Sequence, residues 1–155
     1  MTEEKTIIER LSTLGKTLAT AESCTGGYLG QRLTAVSGAS SVYKGGIISY
    51  CNEIKNRLLQ VDQALLDTCG AVSAPVAEQM AQGARKALLA DYGVSVTGIA
   101  GPNSDETGKP IGLVYLAVSS SEKNVCREFH FTGDRERVRQ QACTEAFKLL
   151  LEITR

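Results

Sequence analysis

The chain has 155 residues, 43% of them apolar, which is enough to bury the core of one compact domain spanning 1–155. Lys plus Arg and Asp plus Glu number 17 each, so no net field draws the chain to nucleic acid or to an anionic membrane. Five cysteines without C-x-x-C spacing and a single histidine, His130, leave little for a disulfide framework, a metal site or a Ser-His-Asp triad. The charged, amphipathic start MTEEKTIIERL does not resemble a secretion signal, and no apolar run reaches membrane-spanning length, so a cytoplasmic protein is expected.

In chain order, Ile7, Ile8, Leu11 and Leu14 repeat at helical spacing and Gly15 supplies a stop. TLATAE, 17–22, reads as a short strand, and a second helical pattern runs from Gly26 to Val36. AESCTGG, 21–27, is therefore a strand-to-helix turn. VYKGGIISY, 42–50, is β-rich, and its glycine pair Gly45-Gly46 implies a bulge or a close backbone approach. Asn52 then caps a short helix, and DQALLDTC forms another. Ser73 with Pro75 opens a longer helix reaching about Tyr92. GVSVT, 93–97, is an apolar strand that runs into the loop GIAGPNSDETGKP. Two strands, IGLVYLAVS and NVCREFHF, and a helix capped by Asp134 complete the chain. Helices alternate with strands early and strands run consecutively late, which predicts a three-layer αβα sandwich around a mixed, largely parallel sheet. Ligands in such sheets bind beyond the carboxyl ends of the strands.

Chemistry concentrates at that edge. Ser23, at the tip of its turn, is a candidate nucleophile with the amides of Cys24 to Gly26 as an oxyanion site; equally, Ser23 or Thr25 is a helix cap. The turn is neither a G-x-S-x-G elbow nor a dinucleotide or Walker loop. Cys24 is a rival nucleophile or a small core residue. Gly26-Gly27 admits close approach of a phosphate. Tyr50 ends a strand and Lys55 lies in the next helix's first turn, so both side chains can reach the edge that carries Ser23. Lysine serves as a base only if its pKa falls well below about 10.4; otherwise Lys55 is a solvated surface residue. Thr97 is a substrate contact or a turn hydroxyl. Arg135, Arg137 and Arg139 crowd the start of the last helix, unfavourable for cations unless they meet an anion such as phosphate or pair with Asp134 and Glu136.

In the order AESCTGG, VYKGGIISYCNEIKNRLL, GAVSAPVAEQMAQGA, VSVTGIAGP with KPIGLVYLAV, and FTGDRERVRQQA, the motifs resemble the CinA C-terminal domain family from Thr17 to the last helix. That resemblance implies hydrolysis of the carboxamide of nicotinamide mononucleotide to nicotinate mononucleotide and ammonia, without metal or organic cofactor. It implies a catalytic group of Ser23, Lys55 and Tyr50 with Thr97 in the substrate site, and self-association into a homo-oligomer; beside it, the residues themselves make Cys24, Thr25, Gly26, Gly27, Gly46, Gly98, Arg135 and Arg139 expected substrate contacts. A non-catalytic nucleotide-binding module of the same fold is the alternative. Family members commonly carry a glycine pair soon after GIAGP, where this chain has Asn103-Ser104-Asp105, a difference expected to reshape the pocket mouth.

Overall fold

The computed structural model describes residues 1–155. Its elements are α1 (Glu3–Leu14), β1 (Leu18–Glu22), α2 (Tyr28–Thr34), a short 3-10 turn, β2 (Tyr43–Ile48), α3 (Asn52–Leu59), α4 (Gln63–Cys69), α5 (Ala74–Ala87), β3 (Tyr92–Gly98), β4 (Leu113–Ser119), β5 (Asn124–His130) and α6 (Arg135–Ile153). The strands form one sheet in the order β2-β1-β3-β4-β5. β1 pairs in parallel with β2 and β3, while β3–β4 and β4–β5 are antiparallel. Four strands thus share one direction and β4 alone opposes them, which gives the mixed, largely parallel sheet expected.

Alternation along β1 builds the three layers. Leu18 faces a core shared with Ile7, Leu11, Leu29, Leu33, Val138 and Phe147, so α1, α2 and α6 cover that face. Ala19 and Ala21 face Leu59, Leu66, Val76 and Met80, so α3, α4 and α5 cover the other. Each fully buried aliphatic side chain contributes about 1.5–3 kcal/mol of transfer free energy. The chain leaves β1 for β2 through α2 on one face and reaches β3 through α3–α5 on the opposite face. The carboxyl end of β1 therefore lies at a topological switch point, the place where open α/β sheets bind ligands.

Two local expectations need correction. Asn52 is the first residue of α3 rather than its cap; Cys51 occupies the cap position and makes no side-chain capping bond. Helix α5 ends at Ala87 instead of near Tyr92, because Leu89 adopts a left-handed conformation, φ 53°, that no α-helix continues through. The bulge expected at the Gly45-Gly46 pair, by contrast, is present: the β1–β2 register shifts between Leu18 and Ala19, so that Tyr43 and Gly45 oppose neighbouring residues.

Candidate active site

The carboxyl ends of β1, β2 and β3, with the loop after β3 and the first turn of α6, enclose a cavity of about 260 Å³. Ser23, Cys24, Tyr50, Lys55, Thr97, Gly98 and Arg135 line it, as do Asn103, Ser104 and Asp105. Residues distant in sequence converge here because three parallel strands end at one edge and β5, running the same way, delivers the N-terminus of α6 to it.

Alternation places Ser23 on the side of the sheet covered by α3, opposite to Glu22. Lys55, four residues into α3, is only 2% exposed. Its Nζ lies 3.0 Å from Ser23 Oγ and donates to the Ser49 carbonyl at 2.8 Å. No carboxylate pairs with it. Burial pushes the Lys55 ammonium below the ordinary lysine range. A buried amine with a depressed pKa, touching a hydroxyl, is the arrangement that general-base activation of serine requires. The solvated surface lysine left open by the sequence is thereby excluded.

Tyr50 is 62% exposed and makes a different contact. Its hydroxyl accepts from Arg135 Nη2 at 3.1 Å, and Arg135 Nη1 donates to the Gly101 carbonyl at 2.7 Å. The structure therefore brings Ser23 and Lys55 together and sets Tyr50 with Arg135 on the same cavity's wall. Thr97 Oγ1 donates to the Ala71 carbonyl at 2.9 Å, which ties the end of β3 to the loop before α5. Cys24 is buried, and burial raises its thiol to about 11, so it carries negligible thiolate at neutral pH. It packs in the core.

Five residues expected in the substrate site, Thr25, Gly26, Gly27, Gly46 and Arg139, serve elsewhere. The first turn of α2 already holds an anion, Glu22, 2% exposed, whose carboxylate accepts from Thr25 Oγ1 at 2.7 Å, Leu29 N at 2.8 Å and Gly30 N at 3.2 Å. Thr25 is thus spent inside the protein. The Gly26 amide closes the turn onto the Ser23 carbonyl at 3.1 Å, while the amides of Cys24, Thr25 and Gly27 have no protein acceptor. Gly26 and Gly27, at φ 56° and 107°, supply left-handed backbone that reverses the chain into α2, and neither lines the cavity. Gly46 lies within β2 where an added Cβ would fall 2.3 Å from Thr20 Oγ1; its smallness serves strand packing. Arg139 is also diverted: its Nε donates to the Cys24 carbonyl at 3.1 Å and Nη2 to the Thr25 carbonyl at 3.0 Å, clamping the turn from behind. Arg135 alone of the three arginines lines the cavity.

The sequence pattern assigns no role to Glu22 or Ser49. Ser49 is fully buried; its amide and hydroxyl donate to the Glu22 carbonyl at 2.7 and 3.2 Å while its own carbonyl holds Lys55. Glu22 shares the inward register of Leu18 and Thr20, and a carboxylate at an inward position is the signal that identifies it.

A serine–lysine pair thus lines a cavity at the switch point of a mixed αβα sheet. The chain belongs to the CinA C-terminal domain family, matching it over residues 1–154. It is 45% identical over 149 residues to a CinA-like protein of Acidobacterium capsulatum, covering 96% of this chain and 36% of that protein. Over 136 residues it is 49% identical to a CinA-like protein of Geobacter sp. (strain M21), covering 88% and 33%. The chain spans about a third of the length of these curated relatives. Among solved structures, competence/damage inducible protein CihA from Agrobacterium tumefaciens superposes with TM-score 0.95 at 36% identity, covering 99% of this chain and 94% of that one. A CinA superfamily protein from Enterobacter cloacae gives 0.96 at 31% identity, covering 99% and 90%.

Proposed function

We propose that the domain is a serine amidohydrolase acting on the carboxamide of nicotinamide mononucleotide. The observation that carries the reaction class is the 3.0 Å contact between Ser23 Oγ and the buried Lys55 Nζ, which no carboxylate neutralises; the choice of substrate rests on the family resemblance. Neutral Lys55 takes the Ser23 proton as Oγ attacks the carboxamide carbon. The tetrahedral intermediate's oxyanion is met by the amides of Cys24 and Thr25. Collapse breaks the C–N bond, and the Lys55 ammonium returns its proton to the departing ammonia. Water then attacks the acyl-enzyme, losing its proton to Lys55; collapse breaks the Ser23 Oγ–acyl bond, Lys55 returns that proton to Oγ, and nicotinate mononucleotide leaves. Proton transfer is assigned to Lys55 because it touches Ser23, whereas Tyr50, on the same wall, is engaged by Arg135, the cation available to the phosphate. We carry homo-oligomerisation with this reading, to be measured by sedimentation velocity.

Ammonia release from nicotinamide mononucleotide by the purified domain tests the assignment. The wild type is expected to turn over and Ser23→Ala to be inactive. Tight binding without ammonia, unaltered by Ser23→Ala, replaces the enzyme with a nucleotide-binding module; turnover of other small amides alone replaces the substrate.

A further inference from the structure

The charges on the cavity wall are unequally satisfied. Lys55 is held by Ser23 and Ser49, and Arg135 by Gly101 and Tyr50. Asp105 is the one carboxylate among the lining residues. It is half-buried, and its Oδ1 accepts the Thr107 amide at 3.0 Å and the Thr107 hydroxyl, which orients the group. Its Oδ2 has no protein donor, and Asp105 belongs to none of the molecule's ion pairs. The loop that carries it is tethered: Lys109 Nζ donates to the Cys69 and Val72 carbonyls at 2.6 and 2.5 Å. A fixed carboxylate thus borders the pocket in which the scissile amide would sit, without a cation of its own.

We propose that Asp105 is a specificity-determining residue that recognises a cationic ring beside the carboxamide, so that the pocket selects N-alkylated pyridinium amides over analogues whose ring is uncharged. The inference rests on the amidohydrolase reading above. A quaternary ring nitrogen offers no N–H, so it is recognised by charge rather than by a directed hydrogen bond, and a single carboxylate oxygen free of protein donors meets that need. Carbonyls and hydroxyls elsewhere on the wall serve either ring equally, and the two cations there, Lys55 and Arg135, do not favour a charged ring; Asp105 is the ionised lining group that does.

The test compares nicotinamide mononucleotide with its reduced dihydropyridine form, which keeps phosphate and carboxamide but loses the ring charge. Calorimetric Kd values are measured on Ser23→Ala, which leaves the ligand intact, and on the same variant carrying Asp105→Asn, an isostere that retains the Thr107 contacts. Ser23→Ala is expected to bind the oxidised form about 5-fold more tightly, a ratio that shrinks with added salt and falls to near one with Asp105→Asn. Glu106→Gln, a neighbouring acid outside the cavity wall, leaves the ratio in place. An unmoved ratio with Asp105→Asn, a ratio of one throughout, or no binding of either form overturns the proposal. Ammonia release by the wild type reports separately: no turnover with the ratio pattern intact removes hydrolysis and leaves ring recognition standing, whereas turnover with an unmoved ratio removes Asp105 alone.

Discussion

Lys55 is the residue on which the chemistry turns, because its burial does two things at once. It lowers the amine's pKa, which makes a base, and it places a positive charge where protein offers only a hydroxyl and a carbonyl, which costs stability. The folded pKa lies below the unfolded one, so the unfolded state binds more protons. The cost is complete below the lowered value and disappears as pH rises toward the ordinary lysine pKa near 10.4. Replacing Lys55 by Met is therefore expected to lower ammonia release by about 10²- to 10⁴-fold while leaving the melting temperature unchanged or raised at neutral pH. In the wild type, kcat/KM rises with pH as Lys55 loses its proton, and a pH profile locates that limb below pH 10.4. Cys24→Ala gives the opposite pattern: the thiol, raised to about 11, supplies no nucleophile, so activity stays within about 2-fold while the small core cavity costs about 1 kcal/mol in denaturant unfolding.

The element that positions the nucleophile is the β1–α2 turn, and Glu22 is its internal anion. One carboxylate satisfies two amides of α2 and the Thr25 hydroxyl, while the same residue's carbonyl anchors Ser49 and through it Lys55. Glu22→Gln removes the charge from the helix start and turns one acceptor into a donor facing N–H groups. About 2 kcal/mol of destabilisation is expected in denaturant unfolding, with a fall in kcat larger than any change in KM, because Ser23 and Lys55 lose their shared reference. Arg139 closes the turn from the α6 side, so this loop is fixed by groups from three elements. Ser49, Lys55 and Arg139 are distant from it in sequence, which is why the turn reads equally well there as a helix cap or a catalytic loop.

At the scale of the molecule, the cavity exists because two cores hold six helices against one sheet. Phe147 of α6 sits in the larger core at 1% exposure, remote from the cavity wall, and carries the Arg32 guanidinium over its ring at 5.0 Å. Phe147→Ala is expected to cost about 3–5 kcal/mol in global unfolding while leaving KM of the still-folded fraction unchanged, and thermal denaturation beside steady-state kinetics checks both halves. No helix is long and apolar enough to cross a membrane, and no group of three His, Cys, Asp or Glu side chains is placed to hold a metal ion. Much of this architecture was legible in the residues themselves. Period-2 and period-3.6 patterns locate every strand and helix, Gly15 and Asp134 mark helix ends, and the edge that gathers Ser23, Tyr50, Lys55 and Thr97 follows from strands ending in turn-rich segments. Local patterns determine such features because they depend on neighbours within a turn of helix or a pleat of strand. The partners of each polar group were decided only by tertiary structure: that Lys55 meets Ser23, that Tyr50 meets Arg135, that Glu22 rather than a ligand fills the first turn of α2, and that Arg139 clamps a loop. Those choices depend on which side of the sheet each crossover takes and how closely buried donors and acceptors then approach, distances that no run of neighbouring residues encodes.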